Sequence, residues 1–202
     1  MNAPPEVARA DDVELLRQSH HEPERFAVLF DRYYPEIYRF VANRLGPTVA
    51  DDMAAETFLV AFDRRTSFQA HTPTGGHVRA WLYGIATNLV RRHRRGEERR
   101  YRALARAPQD PLAVGHDDRI AAMVSAQSVR RELAEALRSL SARDRDVLLL
   151  VALGDLNYHE VATALGIPYG TVCSRLSRAR RKVRKAFGDT GPTRDERNMG
   201  AL

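Results

Sequence analysis

The chain has 202 residues, 44% of them hydrophobic, and a formal net charge of +6, which is enough length for one sizeable core or two small ones. A single cysteine, Cys173, excludes an intramolecular disulfide and points to a reducing compartment. The opening MNAPPEVARADDVELL lacks a basic stretch followed by an apolar one, and no segment approaches about eighteen uninterrupted apolar residues, so a soluble cytoplasmic protein without membrane insertion is expected.

From Pro23 to Leu45 the residues Phe26, Leu29, Phe30, Tyr33, Ile37, Phe40, Val41 and Leu45 recur at helical spacing, with Pro35 placed to bend the run. Gly46-Pro47 stops it. Thr48 with Asp51 reads as a capping box opening a second helix, whose buried stripe is Met53, Ala54, Phe58, Ala61 and Phe62. The stretch SFQAHTPTGGH, Ser67 to His77, is punctuated by proline and a glycine pair and reads as a loop. Val78, Trp81, Leu82, Ile85 and Leu89 then mark the inner face of a third helix that runs into Arg91, Arg92, Arg94, Arg95, Arg99, Arg100 and Arg102.

Two prolines, a glycine and three acids in APQDPLAVGHDD mark an interdomain linker. Leu133, Ala136, Leu137 and Leu140 form the next stripe. Ser141 with Asp144 then caps a helix whose run Val147 to Leu153 is apolar nearly all round, as in an enclosed helix. No strand-like alternation and no repeat appear, so the fold class is all-α: two small helical domains joined by a flexible linker, the C-terminal one containing a helix-turn-helix. The boundaries read as a tail at 1–11, a first domain at 12–100, a linker at 101–127, a second domain at 128–187 and a disordered tail at 188–202.

The second domain carries the most specific pattern. Asn157 followed by Glu160 starts a short helix with Val161, Ala162 and Leu165 inward, Gly166 stands where a left-handed cap is needed, and Ile167 plugs the core across the turn. Pro168 then opens a helix with the stripe Val172, Leu176, Ala179 and Val183. Two helices joined in this way make a helix-turn-helix. The outward face of the second shows Tyr169, Thr171, Ser174, Arg175 and Arg178, side chains that hydrogen-bond to base edges and phosphates in a major groove. The basic run from Arg175 to Lys185 contains no acid, and with the arginine cluster after Leu89 it makes two polyanion contacts. An ordinary helical hairpin with a solvated basic face is the plainer alternative. The caps, the turn and the basic face together favour DNA binding.

The strings LSARDRDVLLLVALGDLNYHEVATALG and IPYGTVCSRLSRARRKVRKAF resemble region 4 of bacterial sigma-70 factors of the extracytoplasmic-function (ECF) class. FAVLFDRYYPEIYRFVANRLG, DDMAAETFLVAF and RAWLYGIATNLVRRHRR are similar to region 2 of the same family, in order. The resemblance implies an RNA polymerase sigma factor that binds core polymerase, recognises minus-35 and minus-10 promoter elements, promotes strand opening and has no catalytic site of its own. It implies core-polymerase binding by Asp51, Asp52 and Glu56, minus-ten binding by Tyr83, Asn88, Arg91 and Arg92, and minus-thirty-five binding by Tyr169, Thr171, Ser174, Arg175 and Arg178. Its implied partners are RNA polymerase core, promoter DNA and an anti-sigma factor.

Each implied role has a plainer counterpart. Asp51 and Asp52 also compensate a helix dipole. Trp81 falls on the Val78/Leu82/Ile85 stripe and is expected in the core, whereas Tyr83, Asn88, Arg91 and Arg92 lie off it. Where relatives are often basic, Cys173 cannot make the bidentate contact of an arginine, and a redox switch is the sharper alternative there. The other reading of the whole chain is a free-standing helix-turn-helix regulator with an N-terminal sensor domain. The seven histidines show no paired metal-ligand spacing, so no metal is expected, and the chain is read as working without a cofactor.

Overall fold

The computed structural model describes residues 6–68, 77–104 and 124–187. Most of the expected loop before His77, the linker centre and the C-terminal tail lie outside the described residues. The rest is all-helical: α1 (Glu6–Gln18), α2 (Phe26–Leu45), α3 (Ala50–Arg64), α4 (Val78–Leu104), α5 (Val124–Ser139), α6 (Ala142–Ala152), α7 (Tyr158–Leu165) and α8 (Tyr169–Ala186). Two compact units emerge, one from the described parts of Met1–Leu112 and Leu149–Val172, the other from those of Ala113–Leu148 and Cys173–Leu202. The first therefore draws on both stretches expected to form separate domains.

In the first unit, α2 buries Phe26, Leu29, Tyr33, Ile37, Phe40 and Val41, the spacing read from the sequence. Full burial of one such side chain contributes about 1.5–3 kcal/mol. Phe30 is 37% exposed instead of buried. The helix runs unbroken through Pro35, whose ring lies on the exposed side. The small residues Ala54 and Ala61 let α3 lie close, and Phe30 meets Phe58 edge-on at 4.9 Å. The expected capping box at Thr48 is absent: Pro47–Val49 forms a 3-10 turn, Val49 stands at the N-cap, and no side chain caps α3. Pro47 fixes the turn, so Thr48 lies inside it and cannot reach the first free N–H groups of α3.

Helix α1, which no apolar stripe announces, is tied to α2 by Asp12. This carboxylate is 2% exposed and accepts hydrogen bonds from Arg32 and from the Tyr33 hydroxyl. Burial, then the bond to Asp12, pushes the Tyr33 phenol above its ordinary range.

Helix α4 is the axis of this unit and packs against α1, α2, α3 and α7. Its first half is enclosed nearly all round, with Val78, Ala80, Leu82, Tyr83, Ile85, Ala86, Leu89 and Val90 all buried. The crossing with α7 depends on Gly84, where an added Cβ would stand 2.4 Å from the Ala164 carbonyl oxygen. Beside it Arg79 donates to Glu36 at 2.9 Å and to the Gly154 carbonyl at 2.7 Å, so this buried cation is paired.

The capping box at α7 is as read: Asn157 Oδ1 accepts from the Glu160 N–H at 3.0 Å, and Glu160 Oε2 accepts from the Asn157 N–H at 2.9 Å. Gly166 is left-handed (φ 60°, ψ 42°), and the Ile167 N–H returns to the Ala162 carbonyl at 3.1 Å.

In the second unit Ser141 Oγ accepts from the Asp144 N–H at 3.1 Å, as expected of the cap on α6. Arg145 closes the end of α5, donating to the carbonyls of Leu137, Arg138 and Leu140 at 2.7, 3.1 and 3.0 Å. Ala136 and Leu140 are buried, but Leu133 is 40% exposed and leaves the expected stripe.

Candidate nucleic-acid interface

Three groups of side chains were singled out from the sequence, and α3, α4 and α8 carry them. On α3, Asp51 and Asp52 stand exposed in the first turn, where their charge also favours the helix dipole. The Tyr34 hydroxyl of α2 donates to Asp51 Oδ1 at 2.5 Å, and that bond, ahead of burial, raises the Tyr34 phenol to about 12. Glu56, one turn further on, is about one-third exposed and pairs with Arg92 of α4. The acidic set and the basic set, assigned to different partners from the sequence, therefore adjoin. Between them lies a groove of about 240 Å³ lined by Met53, Glu56, Leu89, Arg92, His93 and Gly96, among others.

Along α4, Asn88 is the one exposed residue in an otherwise enclosed stretch, and Arg91 Nη1 donates to its Oδ1 at 3.4 Å. Arg92 is well exposed. These three share a side of the helix next to α3, as the spacing required. Tyr83 does not join them. Expected off the buried stripe, it is 2% exposed, stands edge-on to Phe40 at 5.0 Å and places its hydroxyl 3.5 Å from Glu36. Burial pushes its phenol above the ordinary range. The reason is that α4 is covered on several sides, so a residue off one stripe still faces a neighbour. Trp81 errs the other way: it is half-buried, its ring 5.2 Å from that of Phe68.

On α8, Val172, Leu176 and Ala179 of the expected stripe are buried, and its last member, Val183, is half-buried. Ser174 and Arg178 are exposed, Thr171 and Arg175 half-buried, and Cys173 is a half-buried free thiol. Tyr169 is 44% exposed, stacked on His159 at 4.5 Å. Arg178 donates to Asp144 at 3.2 Å. Sequence reasoning missed Tyr34, His159 and Asp144 as partners of predicted site residues. No short-range pattern links Asp144 to Arg178, which lie 34 residues apart, or Tyr34 to Asp51, which lie 17 apart, so neither pairing could be read from local spacing.

Among the described residues no group of three His, Cys, Asp or Glu side chains could hold a metal ion, and no helix is long and apolar enough to cross a membrane. What the surfaces offer is recognition: guanidinium, amide and hydroxyl donors on two helices, with an acidic face beside one of them.

Comparison with known proteins gives two family matches, Sigma-70 region 2 over residues 29–100 and Sigma-70, region 4 over residues 130–183. The chain is 34% identical over 151 residues to the probable RNA polymerase sigma-C factor of Mycobacterium bovis, covering 72% of this chain and 74% of that one. It is 28% identical over 192 residues to the ECF RNA polymerase sigma factor SigK of Mycobacterium tuberculosis, covering 93% and 98%. Among solved structures, CnrH in complex with the cytosolic domain of CnrY matches with a TM-score of 0.59 at 22% identity, covering 89% of this chain and 99% of that one. The sigma factor RpoE in complex with the anti-sigma factor NepR, from Bartonella quintana, matches at 0.56 and 21%, covering 80% and 96%. With both sigma regions matched in order and the described residues all-helical, this protein belongs to the sigma-70 family of RNA polymerase sigma factors, in its ECF group.

Proposed function

We propose that this chain is a dissociable promoter-specificity subunit. It joins core polymerase through Asp51, Asp52 and Glu56 on α3, reads the upstream promoter element with Tyr169, Thr171, Ser174, Arg175 and Arg178 on α8, and meets the opened downstream strand with Asn88, Arg91 and Arg92 on α4. Tyr83 is left out of the strand-facing set and supports α4 from within. The carrying observation is the side of α4 where an amide and two guanidiniums converge beside an acidic face. Amide and guanidinium groups suit an extruded base and its backbone, and the acids suit a basic protein surface.

On this reading the chain has no reaction of its own and works in the cytoplasm, with residues 12–100 and 128–187 acting as two DNA-facing domains around a linker at 101–127. An anti-sigma protein holds it inactive, a partner supported by the complex in which the RpoE neighbour was solved. The test is transcription in vitro by core polymerase on genomic fragments, with and without the chain. New start sites that appear only with the chain are expected. Their absence, with binding to duplex DNA retained, would make the chain a free-standing regulator.

A further inference from the structure

Arg178 has its side chain 51% exposed on α8, and its Nη2 donates to Asp144 Oδ1 at 3.2 Å. Asp144 is not a loose partner. Its backbone N–H is fixed on Ser141 Oγ at 3.1 Å in the first turn of α6, and its side chain is only 12% exposed. A guanidinium carries five N–H donors in a rigid fork, so one bond to a carboxylate leaves a full edge for a second planar acceptor pair. Guanine offers such a pair in the major groove, at O6 and N7. An arginine swinging freely must be ordered by the DNA it meets, whereas one already held loses less freedom on binding.

We infer that Asp144 is the positioning residue of the reading arginine: it holds one edge of the Arg178 guanidinium so that the other is presented to a single guanine of the upstream element. The inference rests on the proposed reading of α8 and adds what that reading lacks, the base class selected and the residue that sets the selection. Asp144 itself does not touch DNA. Its carboxylate repels phosphate, so it weakens binding to arbitrary duplex while sharpening choice at one position. This separates the role from a plain surface ion pair, which moves neither quantity, and from a masking contact, whose removal strengthens both.

The experiment uses the full chain with core polymerase and duplexes it selects from a random pool, each guanine replaced in turn by deazaguanine, which lacks N7. The parent is expected to lose about tenfold in affinity at one guanine. Arg178→Ala abolishes that sensitivity. Asp144→Ala and the isosteric Asp144→Asn reduce it to about twofold, with affinity for random duplex unchanged or higher, and Asp144→Ala/Arg178→Ala is no worse than Arg178→Ala alone. Parent-like sensitivity in both Asp144 variants overturns the inference. So does increased sensitivity, or an equal loss on selected and random duplex with a lowered melting temperature. A parent that directs transcription yet shows no N7-sensitive guanine overturns it and leaves the proposed function standing, while a parent that directs no transcription and selects no sequence overturns both.

Discussion

Arg92 and Glu56, 36 residues apart in the chain, form an ion pair that ties α4 to α3. With Arg92 well exposed and Glu56 about one-third exposed, the pair contributes no more than about 1 kcal/mol to stability. Glu56→Lys should therefore abolish co-purification with core polymerase while leaving the denaturation midpoint nearly unchanged. The swap Glu56→Arg/Arg92→Glu restores the pair but not the acid at position 56. If α3 meets polymerase through that acid, the swapped protein stays unbound in a pull-down from purified core. Recovery of binding would place the interface elsewhere.

Strand opening tests the α4 group. Asn88→Ala/Arg91→Ala leaves the Glu56–Arg92 pair intact, and adding Arg92→Ala removes it. Both variants should form closed complexes in a mobility shift, and permanganate reactivity of thymines near the start site should fall in the double and vanish in the triple. Unchanged reactivity in the triple variant would remove these residues from the melting role.

Tyr34 reports on the acidic face. Its phenol, held by Asp51 first and by burial second, titrates at about 12, above the ordinary value of about 10. A raised folded value means that this bond stabilises the fold fully below pH about 10, and that the contribution is lost as pH rises through about 12. Phenolate absorbance, taken as a difference against Tyr34→Phe, should show the late step. Asp51→Asn should bring it back toward 10.

The parts of the fold legible in advance are those fixed by neighbours within about four residues in sequence. Asn157 and Glu160, Gly166, and the stripe Val172, Leu176 and Ala179 each depend on local backbone geometry and stand where the sequence put them. Thr48 failed because Pro47 imposed a 3-10 turn ahead of α3. Tyr83 failed because one apolar stripe describes a helix with one covered side, and α4 is covered on several. The pairs Glu56–Arg92 and Asp144–Arg178 are long-range, so only the packed helices reveal that candidate residues restrain one another.

Two glycines of α4 should answer oppositely to alanine. Around Gly96 nothing lies within 4 Å of an added Cβ, so Gly96→Ala should raise stability by about 0.5–1 kcal/mol through the lost freedom of the unfolded chain. At Gly84 the same methyl would meet the Ala164 carbonyl, and a loss of about 1–3 kcal/mol is expected, the usual range for overpacking. Denaturant melts give the sign. Hydrogen exchange should show the α7 amides opening first in Gly84→Ala.

The length of α4 gives that crossing a second meaning. Its 27 residues span about 40 Å as one continuous rod, and each residue turns the rod by about 100°. Asn88, Arg91 and Arg92 stand roughly one to two turns beyond Gly84, with no loop between to absorb a change of bearing. A single residue inserted after Val90 would swing both arginines about a quarter-turn away from Asn88 while every buried contact before it stayed in place. The direction in which the strand-facing group points is thus an angular phase, locked where one bare glycine backbone lies against the carbonyl of Ala164.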